Sequence, residues 1–220
     1  LIQMGENKKN IFIVGSPDVD MILGKNLPNL NKVKKRYEIS FSNYAIGILH
    51  PITTNLKNLK EETRIFFNSL VKSGLNYILI YPNNDHGSEV ILKEMSRYKN
   101  YKKFRIFPSI RFEYYLTLLK NSRFIIGNSS SGIIEAPYYG VSTINIGDRQ
   151  KNRLKSKLIK HVNFYEQSII KSIKFVKNRK INKRKFFGEG KSAEKIVKLL
   201  STNKIWNISN QKNFIDIIWF

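Results

Sequence analysis

Short apolar runs alternate along this chain with longer segments in which apolar residues recur every three or four positions. Four or five consecutive β-branched or aromatic residues are too few for a helix and read as buried strands, whereas the longer periodic segments read as amphipathic helices. The pattern predicts strands at 11–14, 44–49, 77–81, 104–107, 124–126 and 142–146. It predicts helices at 58–73, closed by Gly74, and at 88–98, 112–121, 165–176 and 192–200. The Lys- and Asn-rich segment 26–37 is expected on the surface.

Strands and helices in this rhythm imply an α/β domain, a doubly wound, Rossmann-like parallel sheet covered on both faces. Loops 50–54, 82–87, 108–111, 128–131 and 147–150 then all follow strands and can face one crevice, where open α/β sheets bind their ligands.

The most informative stretch is Arg123 to Gln150. Phe124-Ile125-Ile126 ends at Gly127-Asn128 and a run of serines, of which Ser129 or Ser130 is well typed to cap a helix whose length Pro137 limits. A helix start offers unpaired N–H groups to a phosphate. Glu135 suits a ribose diol, and Arg149, in the loop after the next strand, can clamp the same phosphates. A nucleotide satisfies all three. The same features also describe an ordinary serine-capped helix between two strands.

Composition narrows the reading in two ways. Cysteine is absent, so disulfides and thiolate metal sites are excluded, which suits the cytoplasm. The net charge of +23 would favour anionic partners, but the lysines are spread through every segment together with Asn and Ile, as a compositional bias would leave them. The dense block 177–185 reads as a solvated connection. The apolar runs are far shorter than a membrane span, and neither a signal-peptide pattern nor an initiator Met opens the chain. Leu1 to Glu6 has the spacing of a helix already under way, so a preceding segment is expected. The apolar tail 205–220, with Trp206, Phe214, Ile215 and Trp219, is expected to dock.

The string G-N-S-S-S-G-I-I-E-A-P at 127–137, followed by G-V-S-T-I-N-I-G-D-R-Q-K-N-R at 140–153, resembles the signature of the hydrolysing UDP-N-acetylglucosamine 2-epimerases. The opening L-I-Q-M-G-E and I-F-I-V-G-S-P-D-V-D resemble that family's passage from its N-terminal into its second domain. The resemblance runs nearly end to end. It implies the UDP-binding half of a glycosyltransferase-B-like two-domain enzyme, with residues 1–20 as the end of the N-terminal domain and linker, 21–164 as the UDP-binding domain, and 165–220 as C-terminal helices packing across the domain junction.

By the same resemblance, Ser129 and Ser130 bond the diphosphate, with Ser131 in the same loop, Glu135 binds the ribose and Arg149 binds phosphate. His50, in H-P-x-T, sits beside the diphosphate and sugar as the catalytic candidate, Asn83 lies near the ligand, and Ile110 meets the uracil ring. The implied reaction converts UDP-N-acetylglucosamine and water into N-acetylmannosamine and UDP, for sialic acid or related surface polysaccharide synthesis, without cofactor or metal. Nothing in the chain fits the base that removes the C2 proton. Asp85 and His86 form a tempting pair, but the family's acid and base carboxylates belong to the N-terminal domain, without which this half is expected to be inactive. A homo-oligomer is expected of the full-length protein, with neither membrane nor nucleic acid as partner. The alternatives are a non-catalytic UDP-sugar or nucleic-acid binding module, an epimerase acting on a diacetamido sugar nucleotide, and a non-hydrolysing epimerase, against which the serine-rich loop argues.

Overall fold

The computed structural model describes residues 1–177, 179 and 181–209. They fall into two units, one spanning 25–186 and the other formed by 1–24 with the chain from 187 onward.

The larger unit is built on six strands: β1 (Ala45–Ile48), β2 (Tyr77–Ile80), β3 (Phe104–Phe107), β4 (Phe124–Gly127), β5 (Ser142–Ile146) and β6 (Ile159–Val162). All pair in parallel, in the order β3-β2-β1-β4-β5-β6. This is the doubly wound order, whose direction of progression reverses between β1 and β4. Near-continuous burial of the central strands, complete in β1, β4 and β5, fits a sheet covered on both faces.

Side-chain alternation divides the core. Phe124 and Ile126 of β4 join Tyr77, Leu79, Ile144 and Ile146 in one buried cluster with Phe66, Phe67 and Leu70. Those three come from α3 (Leu59–Ser73). Gly74, at φ +68°, ends α3 as the sequence predicts, its N–H bonding to the Val71 carbonyl. The helices α4 (Ser88–Ser96) and α7 (Glu166–Val176) pack against α3, while α2 (Leu30–Arg36) packs against α5 (Phe112–Lys120). Fully burying one such Phe or Leu is worth about 1.5–3 kcal/mol, so this cluster carries much of the unit's stability.

The smaller unit contains α1 (Pro17–Leu23), α8 (Ser192–Leu200) and α9 (Asn203–Trp206). Asp20 joins α1 to α8: its carboxylate accepts from the Ser192 N–H at 2.9 Å, the Ser192 hydroxyl at 2.8 Å and the Ala193 N–H at 2.9 Å. A residue distant in sequence thus caps α8, a task usually done by the residue before the helix.

Several expectations change. Residues 11–14 form no strand, Ile13 is 90% exposed, and no partner strand pairs with them among the described residues. Isolated extended segments are not self-stabilising. Segment 26–37 is not purely surface, because α2 buries Val33 completely. The periodicity missed β6, whose exposed His161 and half-buried Lys160 interrupt an otherwise apolar run at the sheet edge. The helix expected after the serines is in two pieces, a 3-10 turn Ser130–Gly132 and α6 (Ala136–Tyr139), and Pro137 lies in the first turn of α6 instead of ending it. The larger compact unit extends to residue 186, since α7 inserts Ile169, Ile173 and Val176 into the sheet cluster. Of the tail, Trp206 is two-thirds exposed, and Phe214, Ile215 and Trp219 lie outside the described residues.

Candidate functional site

The carboxyl ends of β1 and β4 meet where the strand order reverses, and there the two chains are joined through a side chain. Asn128, the residue after β4, is fully buried. Its Oδ1 accepts the His50 N–H at 2.7 Å, and its Nδ2 donates to the His50 carbonyl at 2.8 Å. The Asn128 N–H donates to Ile48 at 3.1 Å, and its own carbonyl accepts Nη1 of Arg149 at 3.1 Å. The loops after β1, β4 and β5 are thereby brought to one point.

The imidazole of His50 is held from its other side. The Asn83 N–H donates to Nδ1 at 3.0 Å, which leaves the ring proton of the neutral form on Nε2. Burial first, then the neighbouring Arg149 guanidinium, pushes the imidazole down to about 4, with Asp85 acting in the opposite direction. His50 is therefore a neutral hydrogen-bond donor at pH 7. Within the next loop Asn83 Nδ2 also donates to Asp85, which is thus engaged with Asn83 and not with the exposed His86. The Asn83 Oδ1 is buried without a protein partner among the described residues.

In the serine loop, Ser129 Oγ accepts the Ser131 N–H at 3.3 Å, as an N-cap does, and retains its own hydrogen to donate. Ser130 is half-buried beside it. Ser131 faces inward, where its hydroxyl bonds to the buried Tyr115 phenol, so what it offers the crevice is backbone. Glu135 lies in the turn between the two helical pieces, close enough to Tyr115 and Tyr139 for its charge to add to the burial that raises both phenols. Ile110 is half-buried in the loop after β3, whose end is fixed by the Arg111 N–H donating to the Tyr37 hydroxyl at 3.1 Å.

Sequence reasoning therefore named His50, Asn83 and Arg149 as site residues, and these three converge. It passed over Asn128 and Tyr115. The signal for Asn128 was present, since a polar residue directly after a strand-ending glycine is well placed to bond a neighbouring strand end.

A cavity of about 570 Å³ opens beside the crevice, lined by Ile52, Thr54, Glu61, Glu62, Asp148 and Tyr165 among others. Its three carboxylates disfavour a diphosphate, and none of the residues just described lines it. Among the described residues no cluster of three or more His, Asp or Glu could hold a metal ion.

Residues 1–201 match the family described as UDP-N-acetylglucosamine 2-epimerase. The UDP-N-acetylglucosamine 2-epimerase of Neisseria meningitidis serogroup B is 43% identical over 99% of this chain and 58% of its own length. The GDP/UDP-N,N'-diacetylbacillosamine 2-epimerase (hydrolyzing) of Campylobacter jejuni is 33% identical over 99% of this chain and 58% of its own length. The chain thus spans somewhat more than half the length of these relatives. Among solved structures, the Methanocaldococcus jannaschii UDP-GlcNAc 2-epimerase in complex with UDP-GlcNAc and UDP superposes with a TM-score of 0.72, at 25% identity, over 91% of this chain and 57% of that one. The larger unit is accordingly a Rossmann-like domain of the glycosyltransferase-B-like type. By family match, identity and sheet topology together, the chain belongs to the UDP-N-acetylglucosamine 2-epimerase family.

Proposed function

We propose that the crevice at the carboxyl ends of β1, β4 and β5 binds UDP, as the nucleotide half of a hydrolysing UDP-N-acetylglucosamine 2-epimerase. The observation that carries this reading is the convergence of Arg149 and a neutral, Nε2-protonated His50 on Asn128, next to the Ser129 cap. Arg149 retains N–H groups beyond the one given to Asn128, and Ser129 and Ser130 add hydroxyl donors, which together suit two adjacent phosphates. Glu135 serves the ribose hydroxyls and Ile110 the uracil ring, while Asn83 and His50 lie toward the sugar.

In this reaction the proton at the sugar's C2 goes to a base, the C1–O bond breaks, and its electron pair leaves with UDP. Water then adds across the glycal double bond, hydroxyl to C1 and hydrogen to C2 on the opposite face, giving N-acetylmannosamine. What this chain's residues supply is stabilisation of charge on the departing diphosphate, by donors already oriented before the bond breaks. The acid and base carboxylates are assigned to an N-terminal domain, consistent with relatives longer than this chain.

Titration calorimetry tests the nucleotide reading. UDP is expected to bind at least tenfold more tightly than UMP, about 1.4 kcal/mol, and equal affinities would remove the diphosphate from the account. Turnover tests the assignment of the base: this chain alone should release no N-acetylmannosamine, and adding the N-terminal half of a relative should restore it. Release by the chain alone at an enzymatic rate would place the base among these residues. A diacetamido sugar nucleotide is the second reading of the substrate, favoured by the name of the Campylobacter relative. Product analysis with both sugar nucleotides on the two-domain protein separates them.

A further inference from the structure

Asn128 is assigned no contact with the nucleotide above, yet it makes four directed hydrogen bonds, to Ile48, twice to His50 and to Arg149. We propose that Asn128 is a positioning residue that locks the loop bearing His50 and the loop bearing Arg149 into one anion clamp, so that recognition of the diphosphate, and not of the nucleoside, depends on its side-chain amide. The inference rests on the UDP reading of the site and deepens it.

The geometry is that of a ladder continued by a side chain. Pairing of β1 with β4 ends at Ile48 opposite Gly127. One step further, the Asn128 amide presents an acceptor to the His50 N–H and a donor to the His50 carbonyl, the same two groups a peptide unit would offer. Only an amide can do both. A carboxylate lacks the donor, a hydroxyl cannot span both groups, and an aliphatic side chain would leave two peptide groups unpaired in the interior.

A buried asparagine that ties two strand ends could be purely structural, and two further contacts argue for more. The Asn128 carbonyl accepts from Nη1 of Arg149, so the residue that fixes the His50 backbone also orients the guanidinium. The His50 ring also accepts the Asn83 N–H, so a shift of the His50 backbone would either break that bond or turn Nε2 away from a fixed ligand position. Displacements of about 1 Å at such donors are enough to cost two orders of magnitude in function. Ile110, by contrast, lies in a loop that Asn128 does not bond, and Glu135 lies further along the chain, beyond the 3-10 turn Ser130–Gly132.

The test compares UDP with uridine on wild type and Asn128→Ala, with thermal unfolding recorded for both. In the variant, UDP affinity is expected to fall at least tenfold while uridine affinity changes less than twofold. Parallel loss of both ligands would make Asn128 a structural residue and overturn the proposal, as would a UDP preference that survives the substitution. If wild type itself does not prefer UDP to uridine, the nucleotide reading fails and this inference falls with it. Should Asn128→Ala not fold, Asn128→Ser, whose shorter hydroxyl cannot make both bonds, is judged by the same ratio.

Discussion

A Cβ atom on Gly127 would lie 1.8 Å from the carbonyl oxygen of Ile48, so the last residue of β4 touches β1 backbone to backbone. Gly127 also has φ +132°, a conformation open to glycine and poorly tolerated by other residues. That close approach brings the Asn128 amide within reach of His50.

Gly127→Ala is therefore expected to be among the most damaging small substitutions in the chain. Backbone strain alone accounts for roughly 1–3 kcal/mol, and separation of the two strand ends adds to it. Urea unfolding should show a lower midpoint, corresponding to an unfolding free energy reduced by at least that amount. An unchanged midpoint would mean that β1 and β4 can part at their carboxyl ends without cost.

His50 gives the folded state a defined pH response. Its imidazole is held at about 4 in the fold against an ordinary 6.5, so between these values the unfolded chain binds the extra proton. Stability should thus rise with pH from about 4 to 6.5 and level off above, the contribution of this residue being on the order of 2 kcal/mol. Unfolding free energies measured at pH 4.5 and 7 should differ less by that amount in His50→Asn, and identical pH profiles would place the ring in solvent.

Binding should reverse part of this shift. A diphosphate next to the ring favours imidazolium and opposes both the burial and Arg149, so UDP should be bound with proton uptake near pH 5 and without it at pH 8. Calorimetry in buffers of different ionisation enthalpy measures the uptake directly. No uptake at either pH, or uptake retained in His50→Asn, would separate His50 from the phosphates.

In the smaller unit, Asp20→Asn replaces an acceptor oxygen by a donor nitrogen facing donors on α8. Hydrogen exchange at the Ser192 and Ala193 amides, corrected for intrinsic rates, should accelerate at pH 7 in the variant. Backbone hydrogen bonds from Ser192 and Ala193 hold the wild-type carboxyl below its ordinary value, so protection should persist through pH 4 and disappear only as pH falls below it. Equal exchange in both proteins would show that α8 forms without this cap.

Five of the six strands and the main helices were legible because buried parallel strands are nearly uniform apolar runs and α3, α5 and α7 keep a helical period. β6 was not, since an edge strand exposes polar side chains such as His161, and the pattern there resembles a loop. At 11–14 the opposite error arose: apolar residues without a pairing partner among the described residues imitate a strand. In the site, His50 and Arg149 stood out as a histidine and an arginine in loops after strands, whereas Asn83 was singled out only by the family resemblance, because asparagine recurs throughout the loops. Residue type did not suffice for Ser131, which is the same residue as its neighbours and differs only in pointing at Tyr115.

The order of the strands also governs when the site can come into being. β1 emerges first and lies in the middle of the sheet, yet the bond that completes the end of β1 comes from Asn128, 78 positions later in the chain. Closing so long a segment is entropically costly and slow compared with forming any one helix. During synthesis or refolding, β1, β2 and β3 can assemble into half a sheet well before the crevice has a second wall. A chain interrupted between β3 and β4 would therefore carry His50 on an ordered strand end and still lack Asn128, Ser129 and Arg149, the other groups of the proposed anion clamp.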